Sequence, residues 1–162
     1  MFILYAVLAG ILAGYLTGGR VTNLSSVNMK WKLLALTAFL TQILLFTDIP
    51  ALNPISKNLV TGLHIFSYIL LLVFIGINFK IPGILLIGTG IFLNALVITL
   101  NKGYMPSGSQ RVLEAGKSMH DNNISGITQE TLLPWLGDIF DLPAWLPFSN
   151  SFSIGDMLIA AG

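Results

Sequence analysis

The strongest constraint on the fold of this chain is a series of apolar runs that are almost free of charged residues. The first covers residues 1–17, and later runs cover 33–47, 59–77 and 81–100. About 20 apolar residues in a helix cross the hydrocarbon core of a bilayer. A last run, 153–162, is too short to span but suits the start of a helix. The pattern predicts an all-α integral membrane protein, a bundle of four complete transmembrane helices plus a C-terminal fifth helix.

The composition supports one membrane domain over residues 1–162 and excludes several functions. Hydrophobic residues make up 54% of the chain and charged residues 9%, whereas about a quarter of a soluble domain is charged. The formal charge of +1 gives no basic footprint for nucleic acid. The chain has no cysteine, which excludes disulfides, thiol nucleophiles and thiolate metal sites. With His64 and His120 as the only histidines, we expect no cofactor and no multi-histidine metal centre.

A polar segment, residues 101–152, separates the fourth predicted helix from the last one. Its second half mixes bulky apolar residues with Pro143 and Pro147, which prevent one continuous helix. Trp135 and Trp145 suit the membrane–water interface, which accepts both an aromatic body and a polar rim. The segment is therefore predicted to be a proline- and aromatic-rich interfacial region.

The basic residues of the first loop give the predicted orientation. Arg20, Lys30 and Lys32 fall within this short loop, and no acidic residue lies among them. Lysine and arginine concentrate in cytoplasmic loops. We therefore expect a multi-pass protein of the bacterial inner membrane with its N-terminus and residues 101–152 outside.

Several polar or small residues inside the apolar runs have a structural and a functional interpretation. Gly10, Gly14 and Gly18 repeat every four residues, a spacing that lets helices approach closely, within one bundle or in an oligomer. Gln42 is expected to bond a neighbouring helix. His64 is either an interhelical hydrogen bonder or a proton shuttle, and the absence of a second acid or histidine in its helix favours the first.

The candidate site lies in the C-terminal stretch, where Asp138, Asp141 and Asp156 stand among apolar residues. A carboxylate in apolar surroundings is a site hypothesis by default, because its burial is unfavourable. Two other interpretations stay open. Asp156 can cap the last helix while Asp138 and Asp141 are surface or turn residues, or the three carboxylates can hold Mg²⁺ or Ca²⁺.

Three motifs resemble an uncharacterised bacterial family of small polytopic membrane proteins. They are Asn94 with the following NKGYMPSG at 101–108, the segment LGDIFDLP, and FSIGDMLI at 152–159. The resemblance covers nearly the whole chain. It implies a domain of unknown function and no specific activity.

Part of the same stretch resembles signal peptidase II, the lipoprotein signal peptidase. GDIF at 137–140 is similar to the segment with its first catalytic aspartate, and FSIGDMLI is similar to the helix start with its second. The two aspartates lie 18 positions apart, close to the family's separation. This resemblance implies that Asp138 and Asp156 form a catalytic dyad. The sequence departs from that family in having Met157 after the second aspartate and no Asn-x-x-Asp-Arg element.

Two functional classes follow. The first is a non-enzymatic membrane protein, such as a complex subunit or a ligand- or lipid-binding scaffold, with the lipid bilayer as its surroundings. The alternative is an intramembrane aspartyl hydrolase, with Asp138 and Asp156 acting on a membrane-anchored peptide or lipid-linked substrate.

Overall fold

The computed structural model describes residues 2–46, 56–108 and 124–162, and most of these residues are helical. Residue 47, the predicted end of the second helix, and His120 lie outside the described ranges. The helices are α1 (Phe2–Leu16), α2 (Lys32–Phe46), α3 (Lys57–Ile77), α4 (Ile84–Leu100) and α5 (Ile154–Ala161). Short 3₁₀ helices cover Val21–Ser26 and Pro134–Leu136.

Small sheets contradict the all-α prediction. β1 (Met105–Ser107) pairs in parallel with β2 (Ile124–Gly126), and β3 (Phe140–Asp141) pairs antiparallel with β4 (Ser151–Phe152). Because the prolines between β3 and β4 break any helix there, the two flanking segments satisfy backbone groups by pairing with each other. Strands of two or three residues give no periodicity in the sequence, so the apolar pattern could not predict them.

The prediction of four complete membrane spans is wrong. Among the described residues, only α3 is long and apolar enough to cross a membrane, with 21 residues and a mean hydropathy of 2.2. The other apolar helices have 15 residues in α1 and α2 and 17 in α4. At 1.5 Å per residue these lengths reach roughly 22–26 Å, less than the hydrocarbon core of about 30 Å.

Glycines lie at the end of α1 and at the start of α4. Gly18 has a φ of 85° and Gly83 a φ of 80°, in the left-handed region that ends or delays a right-handed helix. As a result α1 ends at Leu16, and α4 begins at Ile84 although the apolar run begins at residue 81.

The core consists of two buried clusters along α3 and α4. The first contains Ala38, Leu71, Phe74, Ile75, Ile84 and Ile91. The second contains Val97, Ile98, Met105 and Leu136, so it joins the end of α4 to β1 and to the 3₁₀ turn. Tyr68 of α3 packs against both clusters and therefore lies between them. Between α2 and α3, the Gln42 amide donates to the Ser67 hydroxyl over 3.0 Å, which confirms the predicted interhelical bond.

Helix α5 lies antiparallel along α4, and the approach is close because glycines face each other. A Cβ atom on Gly90 would clash with the backbone of Gly155, and one on Gly162 would lie 2.6 Å from the carbonyl oxygen of Gly83. These contacts place the start of α5 near the middle of α4 and its end beside the start of α4.

The start of α1 is joined to the C-terminal segment. The Phe2 backbone N–H donates to the side-chain oxygen of Asn150 over 2.9 Å, and the Phe2 ring stacks on Phe152 with centroids 4.1 Å apart. Cβ atoms on Gly10 and Gly14 would meet nothing within 4 Å. The interpretation of this glycine stripe, Gly18 included, as a packing face within one chain is therefore wrong for the described residues, and its use in an oligomer stays a prediction.

Candidate functional site

Asp156 belongs to a closed network of hydrogen bonds with Asn94 and Ser153. The Asn94 amide donates to one oxygen of the Asp156 carboxylate over 2.9 Å, and the Ser153 hydroxyl donates to the Asn94 carbonyl oxygen over 2.9 Å. The Asp156 backbone N–H donates to the Ser153 hydroxyl, and the Ser153 backbone N–H donates to the second carboxylate oxygen, both over 3.0 Å. Each carboxylate oxygen of Asp156 therefore accepts a hydrogen bond.

The sequence around Ser153 explains why the network forms. Ser153 has extended backbone angles (φ −104°, ψ 171°) and is the N-cap of α5, with Asp156 at the third helical position. This reciprocal arrangement is a capping box. Asp156 thus takes part in the cap, as the structural interpretation proposed, but the capping residue itself is Ser153. Gly155 leaves room for Asn94, because a Cβ there would overlap the Asn94 side-chain oxygen.

Burial makes this network costly to break. Ser153 is fully buried and Asn94 is 6% exposed, and an unsatisfied buried polar group costs about 1–3 kcal/mol. The network ties the start of α5 to the middle of α4.

Asp138 is positioned by a short backbone pairing beside β1. Its N–H donates to the Pro106 carbonyl over 2.8 Å, and its carbonyl accepts from the Gly108 N–H over 3.2 Å. The Ser107 hydroxyl also donates to the Asp138 carbonyl, over 3.3 Å. Two positions earlier, Leu136 is buried in the second cluster, which anchors this segment to the end of α4.

The surroundings of Asp138 bring its titration close to neutral pH. Burial, and after it the negative charges of Asp156 and Asp141, together raise the pKa of this carboxyl from 3.8 to about 7. Like charges disfavour a second ionisation nearby. The structure therefore brings Asp138 within electrostatic range of Asp156, while the hydrogen bonds of the Asp156 carboxylate go to Asn94 and Ser153. A shared-proton contact between the two aspartates stays a prediction.

Tyr68 is a member of this region that sequence reasoning missed. It lies within electrostatic range of both Asp138 and Asp156, and its ring centroid is 5.2 Å from that of His64. A lone tyrosine in an apolar run gives no signal of this position. His64 itself is buried and hydrogen-bonds the backbone of Gly103, which supports its structural interpretation.

Asp141 lies apart, on the exposed hairpin of β3 and β4. One of its carboxylate oxygens accepts a 2.8 Å hydrogen bond from the Ser151 hydroxyl, which stabilises the hairpin register. Within the described ranges, no three histidine, cysteine, aspartate or glutamate side chains are grouped to hold a metal ion. The interpretation of Asp138, Asp141 and Asp156 as a metal site is therefore wrong.

Comparison with known proteins gives one family. The family model described as a family of unknown function (DUF5317) matches residues 26–162, which confirms the resemblance to an uncharacterised family. Searches of curated proteins and of solved structures found no match.

Proposed function

Since the chain belongs to the DUF5317 family of unknown function, we propose from its own residues that it is a non-catalytic, membrane-embedded protein, a scaffold or a subunit of a membrane complex. The observation that carries this proposal is the Asn94–Ser153–Asp156 network. The Asp156 carboxylate, one of the two candidate catalytic groups, helps to fasten α5 to α4. Asp156 therefore has a structural task that accounts for its position.

The surface of the helices supports a membrane location. Helix α1 has no buried residue. The following large apolar side chains of α1 and α2 are half or more exposed: Val7, Leu8, Leu12, Leu16, Leu33, Leu36, Phe39, Leu40, Ile43 and Leu44. A water-soluble monomer rarely exposes so large an apolar surface. Only 28% of the most apolar window of α3 is buried, unlike the core helix of a soluble protein.

A simple extraction tests the membrane location. Membranes from cells that express the chain are washed with alkaline carbonate, which removes peripheral proteins. The proposal predicts that the chain stays in the pellet with its apolar helices in lipid. Release of the folded chain into the wash would contradict a membrane-embedded scaffold.

The proposed orientation places the basic first loop in the cytoplasm and residues 124–152 outside. The chain has no cysteine, so single cysteines can be introduced at exposed positions at each end, as Lys80→Cys and Glu130→Cys. An impermeant maleimide applied to intact cells is expected to label position 130 and to spare position 80. The reverse labelling would overturn the orientation.

A second candidate function is aspartyl hydrolysis of a membrane-anchored peptide. The position of Asp138 near Asp156 and its raised pKa favour this function. The raised pKa of Asp138, about 7, suits a group that exchanges protons at neutral pH. Ionised Asp156 would take a proton from the attacking water, and protonated Asp138 would donate to the carbonyl oxygen. The resemblance to signal peptidase II implies the same pair of aspartates as a dyad.

Variants separate the two functions. The chain is reconstituted in vesicles with a fluorescent lipid-anchored peptide, and peptide release is compared for the native chain, Asp138→Asn, Asp156→Asn and the double variant. A dyad predicts equal losses in both single variants and no further loss in the double variant. The scaffold predicts no release that depends on either aspartate. Glu130→Gln is the matched control, because this side chain is exposed and is not among the charges that shift the pKa of Asp138.

A further inference from the structure

Charged side chains separate to opposite ends of the helices, and one end carries only cations among the described residues. Arg20, Lys30 and Lys32 lie in or next to the loop between α1 and α2, and Lys80 lies in the turn between α3 and α4. All four are exposed. Every acidic residue that the structure describes lies between 130 and 156. We call this group of four cations the basic end.

Hydrogen bonds hold the two loops of the basic end together. The Lys30 backbone N–H donates to the Asn78 side-chain oxygen over 2.8 Å, and the Asn78 amide donates back to the Lys30 carbonyl over 2.9 Å. Asn78 is 4% exposed and ends α3 two positions before Lys80. The pairing therefore fixes the loop with Lys30 and Lys32 beside the turn with Lys80.

An apolar cleft opens beside these cations. Its volume is about 380 Å³, and it is lined by Trp31, Lys32, Leu33, Leu34 and Thr37. Trp31 is 70% exposed and has a φ of 54°, a left-handed backbone that is uncommon for a bulky residue. An exposed tryptophan held in this way, between two lysines, suits the level of lipid headgroups.

The combination of charge and cleft matches one kind of molecule. A phospholipid with an acidic headgroup carries a negative charge for the lysines, and its acyl chain can lie along an apolar cleft that begins at the same depth. Basic residues next to a membrane attract anionic lipids in this way. Zwitterionic lipids offer the same acyl chain and no net charge.

We propose that the basic end binds an anionic phospholipid, with the headgroup at Lys30, Lys32 and Lys80 and the start of an acyl chain in the cleft beside Trp31. This inference rests on the proposed membrane location and adds a lipid class to it. The site lies before the start of α4, whereas the Asn94–Ser153–Asp156 network lies at the middle of that helix, so the site does not depend on the aspartates.

Fluorescence of Trp31 reports on the site directly. The chain has three tryptophans, and the variant Trp135→Phe with Trp145→Phe leaves Trp31 alone. The full chain is reconstituted in phosphatidylcholine vesicles that contain a minor fraction of brominated phosphatidylglycerol or of brominated phosphatidylcholine. We expect quenching by the anionic quencher to exceed quenching by the zwitterionic one roughly twofold or more, because the lysines enrich the acidic lipid around Trp31.

Charge variants identify the residues that give the preference. The triple variant Lys30→Gln, Lys32→Gln, Lys80→Gln is expected to equalise the two quenchers. The matched control Lys57→Gln with Lys102→Gln, at the other end, is expected to keep the preference. If the triple variant fails to fold, Lys32→Gln alone provides the comparison and is expected to reduce the preference.

Three outcomes would overturn the site. The first is equal quenching by both lipids, and the second is a preference for the anionic quencher that survives in the triple variant. The third is a control pair that loses this preference as fully as the triple variant does. Excess inorganic phosphate should leave the quenching of Trp31 unchanged. If phosphate reversed the quenching, the basic end would be a simple anion site and not a lipid site. Retention of the chain in carbonate-washed membranes without a lipid preference would remove this inference and leave the proposed function standing.

Discussion

Asn94 on α4 donates a 2.9 Å hydrogen bond to the carboxylate of Asp156 on α5, which lies 62 positions later in the chain. Ser153 closes the network from the same helix start. Asp156, one of the two candidate catalytic aspartates, therefore helps to attach the last helix to α4. The contact also explains the glycine at position 155, because a Cβ atom there would overlap the Asn94 side chain.

Replacing the cap residue should weaken the attachment of α5. Ser153→Ala removes the N-cap oxygen and the donor to Asn94, and we expect the free energy of unfolding to fall by about 1–2 kcal/mol. Denaturant unfolding of the detergent-solubilised chain measures the change. Ser151→Ala is the control, because its hydroxyl bonds the exposed Asp141, and a surface change is usually within about 0.5 kcal/mol. Equal effects of the two substitutions would contradict the role of the cap.

A methyl group at Gly155 should separate α5 from α4. Gly155→Ala places its Cβ against the Asn94 side chain and the Gly90 carbonyl, and overpacking of this kind is expected to destabilise by about 1–3 kcal/mol. Gly62→Ala in α3 meets nothing within 4 Å and is expected to stabilise by up to about 1 kcal/mol, because alanine favours helix. Thermal unfolding of both variants gives the comparison. A stabilised Gly155→Ala would show that the helices are farther apart than described.

The stability of the chain should fall as pH rises towards neutrality, and Asp138 should account for part of the fall. Burial, with the charges of Asp156 and Asp141, raises the folded-state pKa of Asp138 from 3.8 to about 7. The folded chain therefore binds this proton more tightly than the unfolded chain. The stabilisation is complete below pH 3.8 and is lost as pH rises through 7.

Asp138→Asn keeps the shape and cannot ionise, so its melting temperature should vary less than that of the native chain between about pH 4 and pH 7. Melting curves across this range test the expectation, with Glu130→Gln as the exposed acidic control. An unchanged pH dependence in Asp138→Asn would show that Asp138 titrates as an ordinary surface carboxyl.

The apolar runs predict where helices lie, because burial or lipid contact requires continuous apolar helix surface. They also predict the helix bounds within two residues, except at the start of α4, where Gly83 delays the helix through a backbone angle that hydropathy does not measure. The prediction of four spans was wrong because runs of 15 to 17 residues form helices too short to cross a bilayer. The Ser153 cap can be anticipated from a serine followed three residues later by an aspartate. The contact of Asp156 with Asn94 cannot, because a long-range side-chain pair depends on how α5 packs. The position of Tyr68 near Asp138 and Asp156 also depends on how the helices pack, so the sequence alone does not predict it.

The central claim, that the Asp156 carboxylate is engaged structurally by Asn94, is tested most directly by a double-mutant cycle on unfolding. Asn94→Ala and Asp156→Ala are each expected to lower the free energy of unfolding by about 1–3 kcal/mol, since each leaves buried partners unsatisfied. The double variant should lose less than the sum, with an interaction energy of about 0.5 kcal/mol or more. Additive effects, or an Asp156→Ala variant as stable as the native chain, would contradict the claim and leave the carboxylate available for the dyad.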